Sequence, residues 1–317
     1  MFNNLGSSEA LQCHSAGPLQ YTNFMAINHP SPVPHTQAER AALLAATAFR
    51  FKKSVDDGTV EFPSIMDTPV CRDPLRWLFN TYRRPGVGMD EMRKGAGDYC
   101  VVFRRGRLFV PLQEKKEERG TTPASLDALR AAMEAILDHV QDEGTWAGIL
   151  TSNNQDSWAR IRNELLAASP ANAEYFQTIE DAAFAVHLDD SSPVGYAELA
   201  KQCKLGDGFN RWHDKPLQFV VTANGNSGVI VEHSYLDGTT PEPLFDRLRR
   251  RPPQAGHGLH RRHQHQPHLG REHHHPSPPL LSFLALRYFP LQILFLRPIP
   301  SLVLTFGSVA YPVLSSP

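Results

Sequence analysis

The chain of 317 residues carries 32 basic and 33 acidic residues, a formal net charge of −1, and 41% hydrophobic residues. That length and apolar content support a substantial core in one large domain or two ordinary ones. The balanced charge argues against a generalised nucleic-acid binder. Four cysteines, Cys13, Cys71, Cys100 and Cys203, lie far apart with no CxxC pair. They read as scattered reduced thiols, not as a disulfide framework or a zinc site. The first twenty residues hold one charge, Glu9, and no Arg, unlike a secretory signal or a mitochondrial presequence. The abrupt start leaves room for an upstream segment.

Residues 1–36 are polar and without a strong period. Gln37 to about Ser54 predicts an alanine-rich amphipathic helix. Pro74–Asn80 reads as a short helix or turn. Tyr99–Phe103, Arg104–Arg107 and Leu108–Val110 read as strand, turn and strand. A helix is expected to start at Thr121-Thr122-Pro123, with Thr as cap and Pro in the first turn, and to run through Leu129, Met133 and Ile136. A second is expected over Asp156–Ala168, ending before Ser169-Pro170. Phe184–Leu188 reads as a strand and Tyr196–Cys203 as a short helix. Phe219–Val221 and Val229–Val231 flank a turn with Asn224-Gly225 and Gly228, which predicts a β-hairpin. Thr239 with Glu242 reads as a capping box opening a helix through Leu244, Phe245 and Leu248. Alternating helices and strands predict an α/β or α+β fold.

The composition changes after Leu248. Residues 249–317 hold eight Arg, no Lys, no Asp and one Glu, a net +7, so the first 248 residues carry −8. Eleven of the 26 prolines and eight of the fifteen histidines fall there. His257–His275 lacks a hydrophobic period and should not fold alone. Imidazoles at this spacing can share a metal ion; the alternative is a biased tail with adventitious affinity. Leu280–Val313 is apolar but interrupted by Arg287, Pro290, Arg297, Pro298 and Pro300, so no transmembrane helix is expected. The tail is read as disordered, of the kind that translated intron or frameshifted sequence produces.

Chemistry concentrates in His233-Ser234-Tyr235-Leu236-Asp237-Gly238. Period-two alternation puts His233 on the face of Val229 and Val231, at a strand end, where an imidazole can serve as a positioned general base. The alternative is a hydrogen-bonded histidine that closes a strand. Asp237 is either its supporting carboxylate or a turn-forming cap. Glu232 alternates to the opposite face and reads as structural. Arg83-Arg84 and Arg104-Arg105-Gly106-Arg107 could contact phosphate, with solvated turn arginines as the alternative. Glu114–Arg119 reads as solvated surface. No GxGxxG, P-loop, HExxH or GxSxG pattern is present, and no metal site is expected outside the histidine-rich tail.

The HxxxDG hexapeptide is short, but its surroundings are specific. Asn210-Arg211-Trp212-His213-Asp214-Lys215-Pro216-Leu217-Gln218-Phe219, followed by Glu232-His233-Ser234 and Asp237-Gly238, resembles the choline/carnitine acyltransferase family. Leu78-Phe79-Asn80-Thr81-Tyr82-Arg83-Arg84-Pro85-Gly86, Val101–Phe109, Leu150–Ser152 and Trp158–Arg162 resemble its other landmarks. The resemblance covers residues 20–248, with 1–19 as an irregular N-terminal segment and 249–317 as the tail, and it is strongest towards fungal carnitine O-acetyltransferases. It implies a mixed sheet with flanking helices, as in a chloramphenicol-acetyltransferase-like half-domain. It also implies reversible transfer of a short acyl group between coenzyme A and carnitine. His233 is then the general base and Asp237 its acidic partner. No bound cofactor is implied, since acyl-CoA is a co-substrate. The chain is expected to be a monomer with small-molecule partners, carnitine and acyl-CoA, and no nucleic acid. Mitochondrial or peroxisomal placement follows from the resemblance alone, with the cytoplasm still open.

In that family the half after the histidine supplies a Ser-Thr-Ser-type segment, the groups that hold the carnitine carboxylate and most coenzyme A contacts. None of these motifs follows residue 248, so the cofactor-binding residues are unassigned. The reading is of a truncated half, weakly active or inactive, with an apolar face left uncovered. Two rivals remain: a non-catalytic fragment or gene-model product, and another HxxxDG acyltransferase of the alcohol-acyltransferase or condensation-domain type. The last of these lacks its usual DFGWG-like segment here.

Overall fold

The alanine-rich run forms helix α1, Gln37–Asp56, in a computed structural model that describes residues 23–28, 34–61, 71–111, 125–145 and 147–249 and the backbone of 286–289. Thr36 closes its start as a capping box. The Thr36 hydroxyl accepts from the Glu39 N–H at 3.2 Å, and the Glu39 carboxylate accepts from the Thr36 N–H at 2.9 Å. Ala41, Ala42, Ala45 and Ala48 are fully buried, so small side chains bring this helix close to what it covers.

What it covers is a seven-stranded mixed sheet. The strands are β1 (Phe24–Ile27), β4 (Val101–Arg104), β5 (Arg107–Pro111), β6 (Ala185–Leu188), β7 (Leu217–Val221), β8 (Ser227–Val231) and β9 (Leu286–Phe289), in the order β1-β8-β7-β6-β4-β5-β9. The β4–β6 and β6–β7 pairs are parallel and the other four antiparallel. A separate hairpin pairs β2 (Thr81–Arg84) with β3 (Glu91–Lys94). The remaining helices are α2 (Leu126–His139), α3 (Gln155–Ala168), α4 (Pro170–Asp181), α5 (Tyr196–Leu205) and α6 (Glu242–Arg249).

Alternation along the strands sorts side chains to two faces. Val102, Phe109, Val186, Phe219 and Val229 join α1, α2 and α6 in the larger core. Val101, Phe103, Leu108 and Ala185 face α3 and α4. On the same side, Val220 and Ile230 meet Leu199 and Cys203 of α5. Gly228 permits that approach, since a Cβ there would lie 2.6 Å from the Cys203 sulfur. The expected mixed sheet with flanking helices is therefore present. No helix among the described residues is long and apolar enough to cross a membrane.

Several local expectations need correction. Helix α2 starts at Leu126, with the Ser125 hydroxyl accepting the Ala128 N–H at 3.1 Å; Thr121–Ala124 lie outside the described residues. Ser169-Pro170 ends α3 and also starts α4, because the Ser169 hydroxyl caps Ala171 and Pro170 occupies the first turn. The Thr239–Glu242 capping box does not form: the Thr239 hydroxyl donates to Asp237 instead. Arg83 is no turn arginine but sits 3% exposed in β2, and the likewise buried Arg104, 6% exposed, pairs with Asp190. Of the tail, only Arg249 at the end of α6 and the backbone of Leu286–Phe289, as β9 on β5, are described; the histidine-rich block and Glu114–Arg119 lie outside the described residues.

Candidate active site

The β7–β8 hairpin builds the approach to His233. Its turn closes with Thr222 N–H to Asn226 O at 2.9 Å and Gly225 N–H to Thr222 O at 2.9 Å. Gly225 has φ +77°, and a Cβ there would meet the His35 carbonyl oxygen at 2.2 Å, so both conformation and space demand glycine. The strand ends at Val231, and one further bond, Glu232 N–H to Pro216 O at 3.0 Å, carries the pairing to the residue before the histidine.

The segment after Val231 alternates between anchored and free side chains. Glu232 is 1% exposed, and its carboxylate accepts from Arg83 Nη1 at 3.0 Å, the Ser234 hydroxyl at 2.6 Å and the Ser234 N–H at 2.9 Å. Arg83 also donates to Asp90 at 2.7 Å and to Ser234 Oγ at 2.8 Å. Leu236 is buried, and Tyr235 stacks on Trp77 with ring centroids 4.6 Å apart. Between these anchors His233 is exposed, its ring edge-on to Phe24 of β1 at 5.2 Å. The structure thus keeps His233 on the side that alternation assigns and Glu232 on the opposite one.

Asp237 is exposed and engaged elsewhere. Its Oδ1 accepts from the Thr239 and Thr240 N–H groups at 3.0 and 2.9 Å and from their hydroxyls at 2.7 and 2.8 Å. Partial burial pushes its pKa up, but these four donors outweigh that and hold it below the ordinary carboxylate value. Among the described residues no hydrogen bond or ion pair joins Asp237 to His233. The carboxylate shapes the turn that leads to α6.

The segment Asn210–Lys215 is scaffold. Arg211, fully buried, uses its fork on Asp189 at 2.9 and 2.7 Å and donates also to the carbonyls of Cys203, Gln202 and Asn210. Trp212 packs in the α3–α4 core. Trp158 donates its indole N–H to Asp214 at 2.6 Å, and the Asp214 carbonyl accepts from Arg83 N–H at 2.9 Å, which ties this segment to β2. Burial pushes the Asp214 carboxyl up to about 8 and the Lys215 amine down to about 7. Burial, then the Arg211 charge, brings His187 and His213 down to about 3. Both are buried, whereas His233 is exposed between anchored neighbours.

Sequence reasoning missed Arg83 and Asp90 as parts of this site. The signal for Arg83 was the FNTYRRPG segment itself, and Asp90 lies four residues beyond that segment. Among the described residues no group of His, Cys, Asp and Glu is placed to hold a metal ion. A hollow of about 240 Å³ lies at the other end of the sheet, lined by Leu188, Asp189, Asp190, Gln202 and Asn210 among others. Cys100 and Cys203 are buried, and burial pushes both thiols up to about 12.

A family model described as choline/carnitine O-acyltransferase matches residues 11–284. The chain is 43% identical over 230 residues to a highly reducing polyketide synthase of Aspergillus luteorubrus, which covers 72% of this chain and 7% of that protein. It is 34% identical over 245 residues to another from Alternaria alternata, covering 76% of this chain and 8% of that one. To the mitochondrial carnitine O-acetyltransferase of Saccharomyces cerevisiae it is 29% identical over 229 residues, 69% of this chain and 34% of the enzyme. The chain therefore spans a small fraction of the synthases and about a third of the yeast enzyme. The identity to the Aspergillus synthase exceeds that to the yeast enzyme, whose branch the sequence motifs favoured.

Proposed function

The chain belongs to the choline/carnitine O-acyltransferase family, and we propose that it contributes the general base of an acyl transfer between a thioester and a hydroxyl group. The observation that carries this is the exposed imidazole of His233 between two buried, hydrogen-bonded neighbours. Neutral imidazole suits the task because its ordinary pKa, about 6.5, lies close to working pH. It takes the hydroxyl proton as the oxygen attacks the acyl carbonyl. The C–O bond forms, the C–S bond breaks, and the departing thiolate recovers the proton from the imidazolium. In reverse, His233 takes the proton from the thiol. Carnitine and acyl-CoA, with a short acyl group, are the first substrate pair to test, on a chloramphenicol-acetyltransferase-like half-domain acting as a monomer. Mitochondrial placement stays tied to that pair. Asp237 supports the loop through Thr239 and Thr240 and, in this proposal, acts on His233 only through the backbone.

The higher identity to the Aspergillus synthase favours a second reading, in which the thioester carries a polyketide-type acyl chain and another alcohol accepts it. Thiol release from acetyl-CoA with carnitine, and from longer acyl thioesters with a panel of alcohols, separates the two. General-base removal costs about 10²–10⁴-fold in rate, so His233→Ala should fall to background on whichever pair turns over. Equal, background-level rates for wild type and His233→Ala would overturn both readings in favour of a non-catalytic fragment.

A further inference from the structure

We propose that Arg83 is the positioning residue for His233, acting with Glu232 and Ser234 as a buried clamp on the backbone that carries the imidazole. This rests on the reading of His233 as general base. The Glu232 carboxylate reaches past the histidine to the N–H and hydroxyl of Ser234, so both peptide units of His233 lie inside one hydrogen-bonded ring. Arg83 Nη1 donates to both members of that ring, to Glu232 at 3.0 Å and to Ser234 at 2.8 Å. Arg83 is itself held at Nε by Asp90, which accepts Gly86 N–H at 3.0 Å, and through its own backbone N–H by the Asp214 carbonyl. All four side chains, Arg83, Asp90, Glu232 and Ser234, are at most 8% exposed. A strand-end loop would otherwise be free to move, and a catalytic group displaced by about 1 Å can lose about 10²-fold in rate. All four clamp residues are buried, so each acts through His233 and not on a substrate.

Two variants of the full chain test this. Ser234→Ala removes the hydroxyl shared by Arg83 and Glu232 and keeps every charge. Arg83→Lys keeps the charge and loses the fork. In thiol-release assays Ser234→Ala should lower kcat about tenfold while KM stays within about twofold. In ¹³C-histidine NMR the His233 ring signal, identified by its loss in His233→Ala, should shift and broaden in both variants. That measurement needs no turnover. Unchanged kcat and an unchanged His233 signal in Ser234→Ala would overturn the clamp, whether or not Arg83→Lys folds. A His233→Ala variant as active as wild type would instead sink the functional reading, with the NMR result still deciding whether the clamp exists.

Discussion

Asp214→Asn should change how stability depends on pH. Asp214 is 3% exposed, one oxygen accepts the Trp158 indole N–H, and the other has no hydrogen-bond partner. Burial, reinforced by the Asp90 charge and opposed by the indole N–H, Arg83 and Arg162, pushes its carboxyl up to about 8. An unfolded Asp titrates near 3.9. Between about pH 4 and pH 8 the folded state therefore holds a proton that the unfolded state has lost. Stability from this group is complete below about pH 4 and is lost as pH rises towards 8, at up to about 1.4 kcal/mol per pH unit. Lys215, brought down to about 7, works the other way at higher pH, and His187 and His213 work the other way below about 6.5. Asparagine keeps an acceptor for the indole and cannot ionise, so the difference between variant and wild type isolates Asp214. Urea unfolding at pH 5, 6.5 and 8 should show the variant gaining on wild type by about 1 kcal/mol per unit. Parallel curves would refute the assignment of a buried, protonated Asp214.

Three further variants probe the scaffold and the turn. Arg211→Lys cannot reproduce the five donor bonds of the guanidinium and should cost at least about 2 kcal/mol in urea unfolding, since Asp189 loses its bidentate partner while buried. Gly225→Ala must place a side chain at φ +77° against the His35 carbonyl, and its midpoint should drop by more than the roughly 1–2 kcal/mol that left-handed backbone alone costs. Asp237→Asn keeps an oxygen for the Thr239 and Thr240 donors, so kcat should remain within about twofold, whereas Asp237→Ala should lose about 1 kcal/mol of stability with the cap. A tenfold fall in kcat for Asp237→Asn at unchanged stability would restore the carboxylate as an electrostatic partner of His233.

Periodicity made most of the sheet legible, because strands with one face on α1 and the other on α3–α4 or α5 must be apolar at every position, as Val101–Phe103 and Phe219–Val221 are. It missed α4, since Ser169-Pro170 is as good a helix start as a helix stop and Pro at the first turn serves both. It set α2 too early because Thr121-Thr122-Pro123 and Ser125 carry similar capping chemistry four residues apart. At the site, the side assigned to His233 was readable because the hairpin fixes register. Arg83 was not, because its partners Glu232 and Ser234 lie about 150 positions away and only the fold brings them to it. Asp237 was ambiguous for a related reason: an Asp before Gly-Thr-Thr can serve the turn or the histidine, and sequence spacing does not choose.

The position of His233 on the sheet sharpens what this fold contributes. Open α/β sheets usually hold ligands beyond the carboxyl ends of their parallel strands. Here that end carries the hollow beside Leu188 and Asp189, and its charges are already committed: Asp189 to Arg211, Asp190 to Arg104 and Arg105. His233 lies at the opposite end, because β8 runs back along β7 and Val231 pairs with Leu217, the first residue of that strand. His233 is thus delivered by an antiparallel return strand, not by a parallel strand end. That makes the restraint on residues 232–234 decisive, since the imidazole is carried past the carboxyl end of β8 on a loop that must itself be held to orient it. The buried arginine beneath the loop is the group placed to do so.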